Sequence, residues 1–176
     1  ASPDLNTLWR FAADAGASVL MKGGNAVDAA VATAFAMAVT SPSNGNIGGG
    51  GFMIVRLPNG TATTFDYREM APGKSTPTMY LNAQGEIDMS LTQQGYLAPG
   101  VPGTVRGLST AHAKYGKLPW REVCAPAIRL AADGFAIDPA LAEALNRQLS
   151  AAEEYPEFRR VFARPGAEAK WKTGDR

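Results

Sequence analysis

One arginine, Arg68, lies close in sequence to a run of four glycines, Gly48 to Gly51. The planar guanidinium of an arginine can hold a carboxylate through two parallel hydrogen bonds, and small neighbouring residues leave room for the ligand. This combination of residue types indicates a carboxylate-binding site. A simpler interpretation is that Arg68 forms a surface ion pair with Asp66 or Glu69, as charged neighbours commonly do. The spacing alone favours the simpler interpretation, and both stay open at this point.

A β-hairpin is predicted to position Arg68. The four apolar residues from Phe52 to Val55 have the length and composition of a strand. Pro58-Asn59-Gly60 is a turn signal, and the β-branched and aromatic residues from Thr61 to Tyr67 suit the returning strand. Pairing must stop before Ala71-Pro72, because proline has no N–H to donate to a ladder. Arg68 is therefore expected at the end of the second strand.

Helices are predicted on both sides of this hairpin. In the second helix Asn25 is a suitable N-cap, and Asp28 lies in the first turn, where the helix dipole favours an acidic side chain. That helix is apolar nearly all round, so it must be buried on most sides. Residues 73–100 have a loop-like composition. The predicted helices run from Leu5 to Met21, Ala26 to Val39, Pro102 to Lys114, Leu118 to Ala132 and Asp138 to Leu149.

Composition argues against several classes of protein. The 176 residues are 45% hydrophobic and 19% charged, and the net charge of +1 gives no reason to expect nucleic acid or an anionic membrane surface as a partner. No stretch approaches the ~20 apolar residues of a transmembrane helix. The glycine run fits neither a dinucleotide fingerprint nor a P-loop. Cys124, the single cysteine, is predicted to be a buried, inert thiol, and the single histidine, His112, has no evident co-ligands for a metal.

Seven short blocks of the sequence, in the same order along the chain, resemble the γ-glutamyltransferase family. The resemblance extends from about Ala15 to Arg176, whereas the stretch from Asp4 to Ala12 departs from the family pattern. One such block would be weak, but this many in one order is very specific. The blocks are Gly23–Ala30, Gly45–Phe52, Arg68–Pro72, Pro102–Val105, Tyr115–Trp120, Pro126–Ile128 and Asp133–Phe135.

The resemblance implies an α+β fold, the αββα sandwich of the N-terminal-nucleophile hydrolases. This chain is expected to contribute helices and the glycine-rich hairpin, as a single partial domain (residues 1–176) from the N-terminal portion of the larger subunit. In this family a precursor cleaves itself, and the new N-terminal threonine of the smaller subunit is the nucleophile, with its own amine as base. No catalytic residue, metal or cofactor is therefore expected in this chain, which alone is predicted to be inactive.

The resemblance also assigns the residues of a substrate site. Arg68 matches the residue that binds the α-carboxylate of the γ-glutamyl group. From their adjacency, Asp66 and Glu69 are inferred to orient its guanidinium. The glycines expected to shape the surroundings of the site are Gly48, Gly49, Gly50 and Gly51.

The expected partners are a small γ-glutamyl substrate such as glutathione, the remaining segment of the larger subunit, and the smaller subunit that carries the threonine. Neither nucleic acid nor a membrane span is expected. No signal peptide is visible, although the resemblance implies a periplasmic or secreted enzyme. Two alternatives stay open: a related amidohydrolase acting on cephalosporin side chains or poly-γ-glutamate, and a non-catalytic fragment or binding module. Retention of Arg68 favours a substrate with a free α-carboxylate.

Overall fold

The computed structural model describes residues 7–42, 45, 47–152, 154–164 and 170–176. Seven helices and two strands lie among these residues, so the α+β class predicted from the sequence is confirmed. The strands are β1 (Phe52–Arg56) and β2 (Ala62–Asp66). The helices are α1 (Thr7–Met21), α2 (Ala26–Thr40), α3 (Met89–Gln93), α4 (Thr104–Tyr115), α5 (Trp120–Asp133), α6 (Pro139–Ala151) and α7 (Pro156–Phe162).

The contacts within the chain group into two compact units. The first unit comprises Ala1–Gly45 together with Gly116–Arg176, and the second comprises Asn46–Tyr115. A grouping of contacts does not by itself define a domain, which also needs its own core and boundaries. The single partial domain expected from the sequence therefore stays a prediction, and each unit is described by itself.

Helix α2 forms the centre of the first unit, where it packs on both α1 and α5. Only Ala26 and Ala30 among its fifteen residues are exposed, and Val31 and Ala32 are fully buried. This confirms the expectation that a helix apolar nearly all round is buried on most sides. The core cluster shared by these three helices consists of alanines, namely Ala12, Ala15, Ala36 and Ala127.

Asp28 fastens the start of α2 to a distant part of the first unit. Its carboxylate is fully buried and accepts the backbone N–H of Asn25 at 2.9 Å, completing a capping box. The same carboxylate accepts the backbone N–H of Lys117 at 3.0 and 3.1 Å and that of Leu118 at 3.3 Å. These hydrogen bonds replace water around the buried charge. Asp28 therefore joins α2 to the segment that leads into α5, a role that the sequence did not predict.

A smaller cluster surrounds α6. Asp138, the predicted start of this helix, caps it by accepting the backbone N–H of Leu141 at 2.8 Å. Ile137 and Leu141 are buried, and Trp171 packs against them. Two backbone hydrogen bonds, 3.0 and 2.9 Å long, join Ile137 to residues 174–175. The last residues of the chain are therefore part of the first unit.

The second unit contains the predicted hairpin. Strands β1 and β2 pair antiparallel, with Phe52 opposite Asp66 and Arg56 opposite Ala62. Gly60 has a φ of +86° in the connecting turn, a left-handed conformation that glycine adopts without steric cost. The structure thus confirms both predicted strands and the turn between them, and it places the end of β2 two residues before Arg68.

Helix α4 packs against one face of this hairpin. The ring of Phe65 meets the ring of Tyr115 edge to face, with centroids 6.0 Å apart, and the hydroxyls of Thr63 and Tyr115 lie 2.9 Å apart. Val55 of β1 is buried on the same face. On the opposite face Phe52 and Ile54 are 62% and 74% exposed, so the hairpin is covered on one side only within the described part of the chain.

Two features of this unit differ from the prediction. Helix α4 begins at Thr104, two residues after Pro102, and the N–H groups of Gly103 and Thr104 donate to the carbonyl of Gly49. Helix α3 lies within the stretch that was predicted to be a loop. Its N-cap is Asp88, whose carboxylate accepts the N–H of Ser90 at 2.9 Å.

Candidate functional site

Arg68 follows β2 in a segment whose main chain is held at both ends. On one side of it, the N–H of Tyr67 donates to the carbonyl of Gly51 at 3.0 Å. On the other side, Met70 and Val101 exchange two backbone hydrogen bonds of 3.1 and 2.8 Å. The side chain of Arg68 is exposed. The fold therefore fixes the backbone of this arginine and leaves its guanidinium in contact with solvent.

The acidic neighbours of Arg68 do not neutralise its guanidinium. Asp66 accepts the backbone N–H of Arg68 at 3.0 Å, an Asx-turn that shapes the main chain just after β2. Glu69 is exposed, and none of the salt bridges among the described residues involves Arg68. The surface ion pair of the simpler interpretation is thus not formed in the part of the chain that the structure describes. Among the residues that the structure describes, the guanidinium is thus left to bind an external anion.

Two glycines of the run lie directly against the Arg68 segment. A Cβ atom on Gly50 would lie 2.5 Å from the carbonyl oxygen of Tyr67 and 2.8 Å from both the Cα of Arg68 and the nitrogen of Glu69. A Cβ on Gly51 would lie 3.0 Å from the ring of Tyr67. Ordinary contacts between carbon atoms are about 3.5–4.0 Å. Glycine at position 50 is therefore required by the close approach of two backbones.

The other two glycines of the run have different surroundings. The carbonyl of Gly49 accepts the N–H groups of Gly103 and Thr104 at 2.8 and 3.0 Å, which ties the run to the start of α4. Gly48 is exposed, and a Cβ there would meet no described atom within 4 Å. The four glycines, which were predicted to act together, thus have three kinds of surroundings. Gly50 and Gly51 contact the Arg68 segment, Gly49 is hydrogen-bonded to the start of α4, and Gly48 is exposed.

Sequence reasoning gave no role to the glycines at the start of α4. Gly103 and Gly107 are four residues apart and therefore lie on the same side of this end of the helix, where both meet Tyr67. A signal was present, because glycine inside a helix costs about 1 kcal/mol relative to alanine and so suggests close packing. The sequence predicts a helix and a family block in this segment, and neither prediction gives these glycines a role.

Tyr67 is the residue on which these contacts converge. Its ring packs against Gly51 and Gly107, and its hydroxyl donates to the carbonyl of Phe52 at 3.4 Å. Burial raises the pKa of this phenol above its ordinary value, so the hydroxyl stays protonated at neutral pH. The ring therefore serves as a packing element beside Arg68.

Two further candidate residues lie outside this arrangement. Cys124 of α5 is half-buried, and burial raises the pKa of its thiol, which opposes formation of the reactive thiolate. His112 lies in the last turn of α4. The described residues contain no group of three histidine, cysteine, aspartate or glutamate side chains that could hold a metal ion.

None of the helices formed by the described residues is long and apolar enough to cross a membrane.

Comparisons with known proteins identify the family of this chain. The family model for gamma-glutamyltranspeptidase matches residues 12–176. The glutathione hydrolase proenzyme of Escherichia coli (strain K12) is 52% identical over 135 residues, which are 77% of this chain and 23% of that protein. The chain thus spans about a quarter of the length of the curated relatives that it matches.

Solved structures show the same similarity in three dimensions. The gamma-glutamyltranspeptidase of Helicobacter pylori superposes with a TM-score of 0.88 at 43% identity, covering 94% of this chain and 47% of that one. The gamma-glutamyltranspeptidase of Pseudomonas nitroreducens, solved in complex with L-DON, gives a TM-score of 0.82 at 43% identity, covering 100% of this chain and 50% of that one. These neighbours confirm the predicted fold, that of the N-terminal-nucleophile hydrolases.

Proposed function

The chain belongs to the gamma-glutamyltranspeptidase family, and from this premise we propose that it forms part of an enzyme that cleaves γ-glutamyl amides such as glutathione. The acyl group passes to water, or to an amino acid or peptide, through an acyl-enzyme on an N-terminal threonine carried by another polypeptide. This chain supplies part of the substrate pocket and none of the reacting groups. It acts outside the cytoplasm, in the periplasm or after secretion.

Arg68 binds the α-carboxylate of the γ-glutamyl group in this proposal. The observation that carries it is an exposed guanidinium on a main chain fixed by Gly51 and Val101. A rigid backbone reduces the entropy lost when the side chain engages its ligand, and two parallel N–H donors match the geometry of a carboxylate. Asp66 contributes through the turn that it stabilises. Glu69 forms no ion pair with Arg68 among the described residues, and we propose that it orients the guanidinium in the mature enzyme.

The remaining segment of the larger subunit and the smaller subunit are the proposed macromolecular partners. Phe52 and Ile54 are exposed on one face of β1, and an isolated two-stranded hairpin is marginally stable in water. An exposed apolar face of this kind commonly marks an interaction surface. In the mature enzyme we therefore place the rest of the protein over this face of the hairpin.

The proposed role of Arg68 is tested by replacing it in the mature enzyme. Arg68→Ala should lower kcat/KM for γ-glutamyl anilide by about 30-fold or more, since losing one partner of a desolvated charge pair costs about 2–5 kcal/mol. The loss should be much smaller with 4-aminobutanoyl anilide, which has the same acyl chain without the α-carboxylate. Arg56→Ala, at another exposed arginine of the second unit, is the matched control.

The comparison of the two substrates decides the assignment. An equal loss with both substrates would mean that Arg68 supports the pocket without contacting the carboxylate. Unchanged kinetics with γ-glutamyl anilide would remove Arg68 from the site altogether.

A further inference from the structure

The start of α4 has glycine at both points where it meets Tyr67. A Cβ on Gly103 would overlap the carbonyl oxygen of Tyr67 and lie 2.8 Å from its carbonyl carbon and 3.2 Å from the carbonyl oxygen of Arg68. A Cβ on Gly107 would overlap Cβ, Cγ and Cδ1 of the Tyr67 side chain. The contacts therefore involve the main chain and the root of the side chain, which cannot move aside by rotation of a flexible tip.

A methyl group at either position would have to displace one of the two partners. Helix α4 resists displacement, because its first N–H groups are bound to the carbonyl of Gly49 and because Thr104, Leu108 and Ala111 are buried. The segment that carries Arg68 is hydrogen-bonded at Tyr67 and Met70, but its residues are exposed from position 68 to position 70 and have less packing around them than α4 has. The displacement is therefore expected to fall on Arg68 and its neighbours.

Local helix preference does not account for these glycines. Glycine is disfavoured inside helices relative to alanine, so an alanine at position 107 would suit α4 better on its own. The close contact with Tyr67 is the feature of the structure that opposes it. Glycine at position 107 therefore makes α4 less stable but leaves room for Tyr67.

From these contacts we infer that Gly103 and Gly107 are positioning residues for Arg68. They allow Tyr67 to lie directly on the backbone of α4, and this contact sets where the main chain of Arg68 stands and where its guanidinium meets the substrate carboxylate. The inference rests on the proposed function of Arg68, and it adds Gly107 of α4 and Gly103 immediately before α4, which contact Tyr67.

The test is Gly107→Ala in the mature enzyme, assayed with γ-glutamyl anilide and with 4-aminobutanoyl anilide. We expect KM for γ-glutamyl anilide to rise about tenfold with a smaller change in kcat, because misplacement by a fraction of an ångström weakens the carboxylate contact. KM for 4-aminobutanoyl anilide should stay within about twofold of the unmodified enzyme, a small change on this scale. Gly73→Ala is the matched control, because a Cβ there meets no described atom within 4 Å.

A double-mutant cycle separates this inference from the function on which it rests. In an Arg68→Ala background, Gly107→Ala should produce no further change in the preference for the α-carboxylate, because the positioned group is gone. If Arg68→Ala removes that preference and Gly107→Ala leaves it intact, only the positioning role is overturned. If Arg68→Ala does not affect the preference, the proposed function itself fails.

A second variant keeps the test decisive if Gly107→Ala does not mature. Tyr67→Ala removes the ring that packs on α4 and should raise KM for γ-glutamyl anilide selectively, whereas Tyr67→Phe retains the ring and should behave as the unmodified enzyme. Equal effects of Tyr67→Ala on both substrates, or none on either, would overturn the inference.

Discussion

In the first unit the carboxylate of Asp28 is fully buried and accepts backbone hydrogen bonds from three residues, whereas in the second unit the guanidinium of Arg68 is exposed. Within the described part of the chain, Arg68 forms no ion pair. A buried charge surrounded by donors contributes to the folded state, and an exposed charge contributes little to it. Asp28 therefore stabilises the folded state, whereas the guanidinium of Arg68 is exposed and adds little to it.

Small residues are also used differently in the two units. Alanines form the core cluster shared by α1, α2 and α5, where methyl groups fill the space between helices. Around Tyr67, glycines are found instead, because backbone atoms approach to distances at which no methyl group fits. The first unit therefore gains its stability from packed side chains, and the second fixes the position of one segment through close backbone contact.

The largest effect expected from this comparison is on stability, at Asp28. Asp28→Ala should lower the free energy of unfolding by about 3 kcal/mol or more, since each buried N–H left without an acceptor costs about 1–3 kcal/mol. Thermal unfolding of the mature enzyme measures this as a fall in Tm of several degrees. Asp14→Ala is the control, because this aspartate of α1 is 70% exposed and its ion pair with Arg10 is 3.9 Å long.

The same variants test the separation of roles. The fraction of Asp28→Ala enzyme that folds should keep the KM of the unmodified enzyme, and Arg68→Ala should keep its Tm. If Asp28→Ala and Asp14→Ala have the same Tm, the buried carboxylate does not stabilise the attachment of α2. The proposed difference in role between Asp28 and Arg68 would then be wrong.

The next effect in size concerns Gly50. Gly50→Val should reduce kcat/KM for γ-glutamyl anilide on the order of 100-fold, the scale of a misplacement of about 1 Å, or block maturation, because its side chain would meet the backbone of Tyr67 and Arg68. Gly73→Val provides a control with open surroundings. Full activity and normal processing of Gly50→Val would contradict this prediction. It would show that the Arg68 segment can shift to accommodate the side chain without loss of activity.

The hairpin and most of the helices were predictable because their signals are local. An apolar run, an Asn-Gly turn and a β-branched return strand lie within sixteen residues, and the capping residues Asn25 and Asp138 stand next to the helices that they cap. The start of α4 differs from the prediction by two residues, and at this start the N–H of Gly103 donates to Gly49, more than fifty residues away. That hydrogen bond has no local signature.

The candidate site was predictable only in part, for the same physical reason. Arg68 and its neighbours Asp66 and Glu69 could be identified from residue type and resemblance, and their roles stay predictions. The hydrogen bonds of Asp28 to residues 117–118 and the contact of Gly107 with Tyr67 depend on tertiary packing. Periodicity and spacing report the face on which a residue lies, and they do not report what that face meets.

The smallest effect is expected at Cys124, which tests whether the first unit takes any part in the chemistry. Burial raises the pKa of this thiol above its ordinary value, so the thiolate fraction at pH 8 is lower than that of a free cysteine. Alkylation by iodoacetamide should therefore be slower than that of a cysteine-containing peptide, and it should speed up as the pH rises through the raised pKa. Cys124→Ala should change kcat/KM by less than about twofold, because the thiol is half-buried in α5 and the proposed nucleophile is a threonine. Rapid alkylation that abolishes activity, together with an inactive Cys124→Ala enzyme, would contradict this prediction. It would show that the first unit contributes a residue to catalysis and does not serve the structure alone.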